Sequence, residues 1–283
     1  MKIQAAAVTN VGRVRRNNED NYFVCGSYKE STETNNCEYG CTASSDECLF
    51  GVCDGMGGIQ YGELASLIAV EAMAEYASDF DKRYVDCVTA ANERICREIT
   101  ERGASRIGTT FAGLYIKNNV AHAYNIGDSR IYFCRAGQLS QLSVDHTQAQ
   151  MLFRQGFITA QEAKTHRDRH VLTQHLGIFP EEMVIETHCA EPIELAVGDL
   201  FLLCSDGLTD MLEDDEICSI LSEPGSLEQK AHALTDAALD HGGKDNVTVV
   251  LVGATDEEDK SQNGAAKVSP LGGLMKKIRS RLK

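Results

Sequence analysis

Five aspartates, Asp20, Asp54, Asp128, Asp206 and Asp245, share one setting: each stands at or near one end of an expected strand. The pattern is plainest at residues 49–58, LFGVCDGMGG, and recurs at residues 199–207, DLFLLCSDG, where an apolar run delivers an Asp-Gly pair. Such runs bounded by glycine read as buried strands. Gly55, Gly57 and Gly58 let the backbone turn sharply and let something approach it closely. Taken alone, Asp54 serves equally well as the N-cap of the helix that follows. Convergence of the five carboxylates would change the chemistry. Two like charges about 4 Å apart repel by roughly 4 kcal/mol at an effective dielectric near 20, so the cluster must take up protons or hold cations. Carboxylate, carbonyl and water ligands suit hard ions such as Mg2+ or Mn2+. Two such ions about 3.5–4 Å apart can orient and acidify a water for in-line attack on phosphorus. Arg13, Arg15 and Arg16 stand just before Glu19 and Asp20. They read either as a solvated basic turn or as a phosphate clamp, because the planar guanidinium suits bidentate phosphate contact. The combination points to metal-assisted phosphoester hydrolysis, and spacing alone leaves the convergence open.

The elements that must position these residues are strands at 3–9, 21–25, 108–117, 120–125, 130–135, 138–142 and 247–252, besides the two apolar runs. Asn118-Asn119 is a tight hairpin turn. Helices are expected at 60–77, 83–102, 213–222 and 226–241, the first of them buried around most of its circumference because Glu63, Glu71 and Glu75 fall on one arc. Residues 26–48, poor in large apolar side chains, read as a surface insertion, and the spacing of Cys37, Cys41 and Cys48 fits no standard zinc pattern. Residues 145–177 hold four of the eight histidines and two short helices. The second of these opens on a Thr159–Glu162 capping box. His166 and His170 have the i, i+4 spacing of a helical zinc pair, but Arg167 follows His166 where a metalloprotease has Glu. A polar flap is the better reading.

The 283 residues are 43% hydrophobic and 24% charged, an ordinary globular composition. No apolar stretch reaches the roughly 20 residues of a membrane span, and residues 1–13 lack the apolar core of a signal peptide. Eleven cysteines at irregular spacings then suggest reduced thiols in the cytoplasm. A formal net charge of −15 argues against nucleic acid as a partner. Residues 255–269 are polar and expected to be disordered. In 271–283, Leu271, Leu274, Met275, Ile278 and Leu282 share one helical face, and five basic residues occupy the rest. Three readings stand for this tail: a solvated segment, peripheral contact with an anionic membrane or a partner, and docking on the acidic body.

Six ordered blocks, GRVRRNNED (12–20), DGMGG (54–58), GTT (108–110), GDSR (127–130), SDGL (205–208) and KDNVTV (244–249), together resemble the metal-dependent serine/threonine protein phosphatases of type 2C, in their compact bacterial form. The resemblance covers roughly residues 1–254. It implies an α+β fold: a four-layer αββα sandwich of two mixed, mainly antiparallel sheets flanked by helices, with a binuclear metal site at one end. It divides the chain into a catalytic domain at 1–254, with the insertion at 26–48 and the flap at 145–177, and a polar linker and basic amphipathic tail at 255–283. By position, Asp54 is similar to the carboxylate that bridges both metals, with the Gly55 carbonyl beside it. Asp206 and Asp245 resemble ligands of one ion, and Asp20 a ligand reached partly through water. Asp128 with Asp206 resembles a third, weaker site, and Arg15 the phosphate-binding arginine. Two or three Mn2+ or Mg2+ ions are implied as cofactors. The implied partners are phosphoserine and phosphothreonine proteins and an opposing kinase, and the enzyme is expected to be a monomer.

Some positions depart from the family pattern. Met56 replaces a histidine that the eukaryotic branch carries, so the leaving alkoxide is expected to take its proton elsewhere, such as from metal-bound water. Arg167, His170 and Gln174 replace Pro, Asn and Arg, and the 26–48 link is unusually long. Two alternatives remain: a non-catalytic binding module of the same fold, and a phosphatase dedicated to one regulatory partner such as an anti-sigma antagonist.

Overall fold

A computed structural model describes residues 1–43, 47–56, 61–104 and 107–256. Gly57, Gly58, all but the first two residues of the linker, and the tail at 271–283 lie outside these residues. In chain order the first half contains β1 (Lys2–Asn10), β2 (Asn21–Val24), β3 (Ser27–Tyr28), β4 (Cys37–Ala43), β5 (Glu47–Cys53), β6 (Gly55–Met56), α1 (Gly62–Tyr76) and α2 (Phe80–Arg102). There follow β7 (Gly108–Thr109), β8 (Phe111–Lys117), β9 (Val120–Ile126), β10 (Arg130–Arg135), β11 (Gln138–Gln141), α3 (Gln148–Arg154) and α4 (Ala160–Thr165). The remainder is β12 (His188–Cys189), β13 (Ile193–Glu194), β14 (Leu200–Cys204), α5 (Asp206–Thr209), α6 (Asp214–Ser222), α7 (Leu227–Asp240) and β15 (Val247–Thr255).

One sheet has the order β11-β10-β14-β15-β1-β4, and the other β12-β9-β8-β5-β2-β3, with β13 also against β9. Every described pairing within them is antiparallel. Side chains alternate across a strand, and both faces of the central strands are covered. Ala5 and Ala7 of β1, Phe201 and Leu203 of β14, and Val250 and Val252 of β15 fill the space between the sheets. Their neighbours Ala6, Val8, Leu202, Val249 and Leu251 turn outward onto Ile217 and Leu221 of α6 and Ala231 and Leu234 of α7. On the other side, Phe23, Phe111 and Tyr115 meet Met73 of α1 and Phe80 and Ile95 of α2. Helices, sheet, sheet and helices thus form four layers. Burial on both faces explains the unbroken apolar runs such as LFLLC.

The insertion differs from its reading as a surface link. Residues 37–43 form β4, which pairs with β1 from Thr9↔Cys37 to Ile3↔Ala43 and closes the edge of the first sheet. The 108–117 strand is broken at Thr110, so that Gly108 and Thr109 can pair with Met56 and Gly55. In the flap, Thr159 and Glu162 form the expected capping box, but α4 stops at Thr165. His166 and His170 therefore do not lie on a helix face.

Candidate active site

All five aspartates reach one end of the sandwich, each placed by a strand terminus. Asp20 directly precedes β2, Asp54 follows β5, Asp128 lies in the β9–β10 turn, Asp206 opens α5 after β14, and Asp245 precedes β15. Asp20 is fully buried. Its Oδ2 accepts hydrogen bonds from Ser205 Oγ and Thr248 Oγ1, both at 2.7 Å, while its Oδ1 has no partner. A buried carboxylate oxygen without a donor is costly, and an orphan atom amid carboxylates is what a cation ligand looks like without its ion.

Electrostatics bind the cluster together. Burial pushes the Asp20 carboxyl up to about 6, against the hydrogen bonds from Thr248 and Ser205. Burial, then the fields of Asp20, Asp206, Asp128 and Asp245, raise Asp54 well above the usual carboxylate range, so Asp54 sits among the other four. Burial and Asp206 likewise raise Asp128 and Asp245. These are groups that must gain protons or cations, and their all-oxygen donors fit hard divalent ions.

The backbone around Asp54 is fixed tightly. Its N–H donates to Thr110 Oγ1 at 2.8 Å, and its carbonyl accepts from Thr110 N and Thr109 Oγ1, both at 2.9 Å. This explains the GTT block. At Gly55, a Cβ would collide with the carbonyl oxygens of Gly62 and Glu19, so only glycine lets α1 approach. A Cβ at Gly207 would strike the Asn246 carbonyl, which sets α5 directly on the loop carrying Asp245.

Arg15 reaches the site from the β1–β2 loop, where its Nη2 donates to Asp245 Oδ2 at 2.6 Å. Arg13 points away to Asp240 at 2.8 Å. Of these two, Arg15 is the one that meets a carboxylate of the cluster. The loop is held by Asn246, whose Nδ2 donates to the carbonyls of Val11 and Asn17 at 2.9 Å each and whose Oδ1 accepts from Glu19 N at 2.8 Å. The insertion supports it from the other side. Asn36 Oδ1 accepts from Val11 N at 2.9 Å, Asn35 O accepts from Asn18 Nδ2 at 2.8 Å, and the buried Lys29 Nζ donates to Asn18 O at 2.7 Å.

Sequence reasoning gave three of these residues no part in the site. Glu19 is raised to about 7 by burial and then by Glu63, and its main chain also joins Gly55 N at 3.2 Å and Ser66 Oγ at 2.6 Å. Its adjacency to Asp20 was the available signal. Asn246 stands inside the KDNVTV block. His170 was set aside with a zinc pattern, yet its Nδ1 lies 3.5 Å from Asp206 and its Nε2 3.3 Å from Asp210. Ligand atoms of Asp128, His170 and Asp206 all lie within 4.8 Å of one another. His166 instead faces Asp168. Beside this end lies a cleft of about 500 Å³, lined by flap residues Phe153, Lys164 and Arg169 and by Asp210 and Asp214 across from them.

Comparisons with known proteins agree with this fold. The sequence profile of the family described as Protein phosphatase 2C matches residues 34–241. The chain is 32% identical over 260 residues to the serine/threonine protein phosphatase PstP of Mycobacterium tuberculosis, covering 90% of this chain and 45% of that protein. It is 30% identical over 270 residues to the serine/threonine phosphatase stp of Listeria monocytogenes, covering 90% of this chain and 96% of that one. The chain thus spans about half the length of the first relative and nearly all of the second. A crystal structure of the catalytic domain of PstP with two manganese ions superposes with a TM-score of 0.73 at 32% identity, covering 90% of this chain and all of that one.

Proposed function

The chain belongs to the protein phosphatase 2C family, and on that premise we propose that it hydrolyses phosphoserine and phosphothreonine in proteins with the aid of Mn2+ or Mg2+. The observation that carries the reading is the buried, unpartnered Oδ1 of Asp20 among four further carboxylates. Relatives named serine/threonine phosphatases, one of them solved with two manganese ions, support it.

Asp54, at the centre of the carboxylates, would hold two such ions together with Gly55, Asp20, Asp206 and Asp245. Asp128, Asp206 and His170 are assigned a further, weaker position. When bound, the ions supply Lewis acidity and a water of lowered pKa for attack on phosphorus. Arg15 orients the phosphoryl oxygens by exchanging its bond to Asp245 for two bonds to the substrate. Asn246, Asn36 and Lys29 keep its loop in register. Residues 1–254 act as the catalytic unit, a serine/threonine kinase supplies the substrates, and the enzyme works as a cytoplasmic monomer. Among the described residues no helix is long and apolar enough to cross a membrane.

Release of phosphate from a phosphothreonine peptide tests the reading. Activity should vanish with EDTA, return with manganese, and be abolished in folded Asp54→Asn and Asp206→Asn variants. Near-normal turnover in both variants would refute it. The non-catalytic alternative predicts manganese binding without turnover in the wild type.

A further inference from the structure

Of the ligand atoms grouped at Asp128, His170 and Asp206, only that of His170 comes from the flap. Its place therefore depends on what holds the flap to the β9–β10 turn that carries Asp128. The flap enters at residues 144–146, and all three bond to that turn or to the strands flanking it. Val144 N donates to Asn125 Oδ1 at 3.1 Å, and its carbonyl accepts from Asn125 Nδ2 at 2.8 Å. The Asp145 carboxylate accepts from Arg130 Nε at 3.0 Å and from Arg130 Nη2 at 2.7 Å. His146 grips Gly127 from both sides. Its N–H donates to the Gly127 carbonyl at 2.9 Å, and its Nδ1 accepts from the Gly127 N–H at 3.1 Å.

Gly127 is a fixed point. Its φ is 97°, and a Cβ there would collide with the Thr110 side chain. Thr110 Oγ1 in turn accepts from Asp54 N at 2.8 Å and meets Ser129 Oγ at 2.6 Å. The turn is thus tied to the centre of the carboxylate cluster, and His146 ties it to the other end of the flap as well. The His146 carbonyl accepts from Thr173 N at 2.8 Å, Gln148 N donates to the Val171 carbonyl at 2.9 Å, and Thr147 stands opposite Leu172. His170 comes directly before this pairing. A chain of bonds therefore runs from the neighbour of Asp128, through His146, to the residues that follow His170. The Nδ1 acceptor is its side-chain link. Without that acceptor the buried Gly127 N–H would lose this partner.

We propose that His146 is a positioning residue: through Nδ1 it locks the paired base of the flap to Gly127 and so sets His170 against Asp128. The inference rests on the assignment of Asp128, Asp206 and His170 to the weaker ion position. Accepting at Nδ1 places the ring proton on Nε2. An asparagine at this position would offer its side-chain oxygen near the place of Nδ1, whereas a phenylalanine would keep the ring and lose the acceptor. The two variants therefore separate the hydrogen bond from the packing.

The whole chain is tested in two arms, with circular dichroism confirming that each variant folds. In metal-free protein followed by NMR hydrogen exchange, the amides of Gly127, Gln148 and Thr173 should exchange roughly tenfold faster in His146→Phe than in the wild type. They should stay near wild-type rates in His146→Asn, and the Leu176 amide, bonded to Thr109, should be unaffected in both. In calorimetric titration with manganese, His146→Phe should weaken the weakest step about tenfold, with His146→Asn close to the wild type and the tighter steps unchanged. In a His170→Asn background, His146→Phe should add little, because it acts through His170. Equal exchange in the wild type and His146→Phe, or no rescue by His146→Asn, would overturn the proposal. So would equal weakening of every manganese step, or a full additional loss in the His170→Asn background. Absence of manganese binding in the wild type would refute the metal reading instead, and the exchange arm alone would then uphold or overturn the clamp.

Discussion

Asp20 allows the metal-site assignment to be tested through stability, without turnover. Its carboxyl is raised from 3.8 to about 6, first by burial. A shift of that size corresponds to about 3 kcal/mol of penalty on the charged form at pH 7. Because the folded-state value lies above the ordinary one, the folded protein holds the extra proton between those two pH values. The stability of metal-free protein therefore falls as pH rises from about 4 to 6 and stays low above that window. Asp20→Asn removes the charge and keeps the shape. The amide oxygen of the variant side chain can still accept from Ser205 and Thr248, and its NH2 group can donate toward the neighbouring carboxylates where Oδ1 now has no partner. In urea unfolding with EDTA at pH 7, the variant should gain up to about 3 kcal/mol, and the gain should shrink toward zero at pH 4. Manganese should reverse the order, since an ion that binds only the folded state stabilises by mass action and the wild type keeps the charged ligand. Loss of stability in the metal-free variant at pH 7, or equal manganese stabilisation of both proteins, would refute the reasoning.

Arg15→Ala should raise KM for a phosphothreonine peptide by tenfold or more, on the order of one charge-assisted pair, with little change in kcat; an unchanged KM rejects its role as the phosphate clamp. Asn246→Ala cuts the bonds to Val11, Asn17 and Glu19, and should cost about 2–3 kcal/mol in urea unfolding together with a fall in kcat/KM. His170→Asn should weaken the weakest manganese-binding step about tenfold in calorimetric titration while leaving the tighter steps unchanged; a titration identical to wild type removes His170 from the site.

What could be read from sequence follows from how the elements are buried. β14 and β15 are covered on both faces, so each is a nearly continuous apolar run whose end marks the spot where an aspartate leaves the core. The capping box at Thr159 is equally local, because both of its hydrogen bonds lie within four residues. β4 was missed because an edge strand needs only one apolar face. Cys37, Tyr39 and Cys41 turn inward while Glu38, Gly40 and Thr42 face solvent. That alternation was present in CEYGCTA, masked by its glycine and by the polar residues around it.

The functional part of the insertion lay beyond any pattern. Lys29 Nζ donates to Asn18 O, and the side-chain oxygens of Asn35 and Asn36 accept from the N–H groups of Asn18 and Val11; a main-chain partner carries no residue signature. These bonds exist only because β4 crosses to pair with β1, which brings the start of the insertion back over residues 11–18. The insertion is therefore a brace for the site as well as a sheet edge. Shortening it to a plain link should lower stability and weaken phosphate binding together, since the two depend on the same few hydrogen bonds.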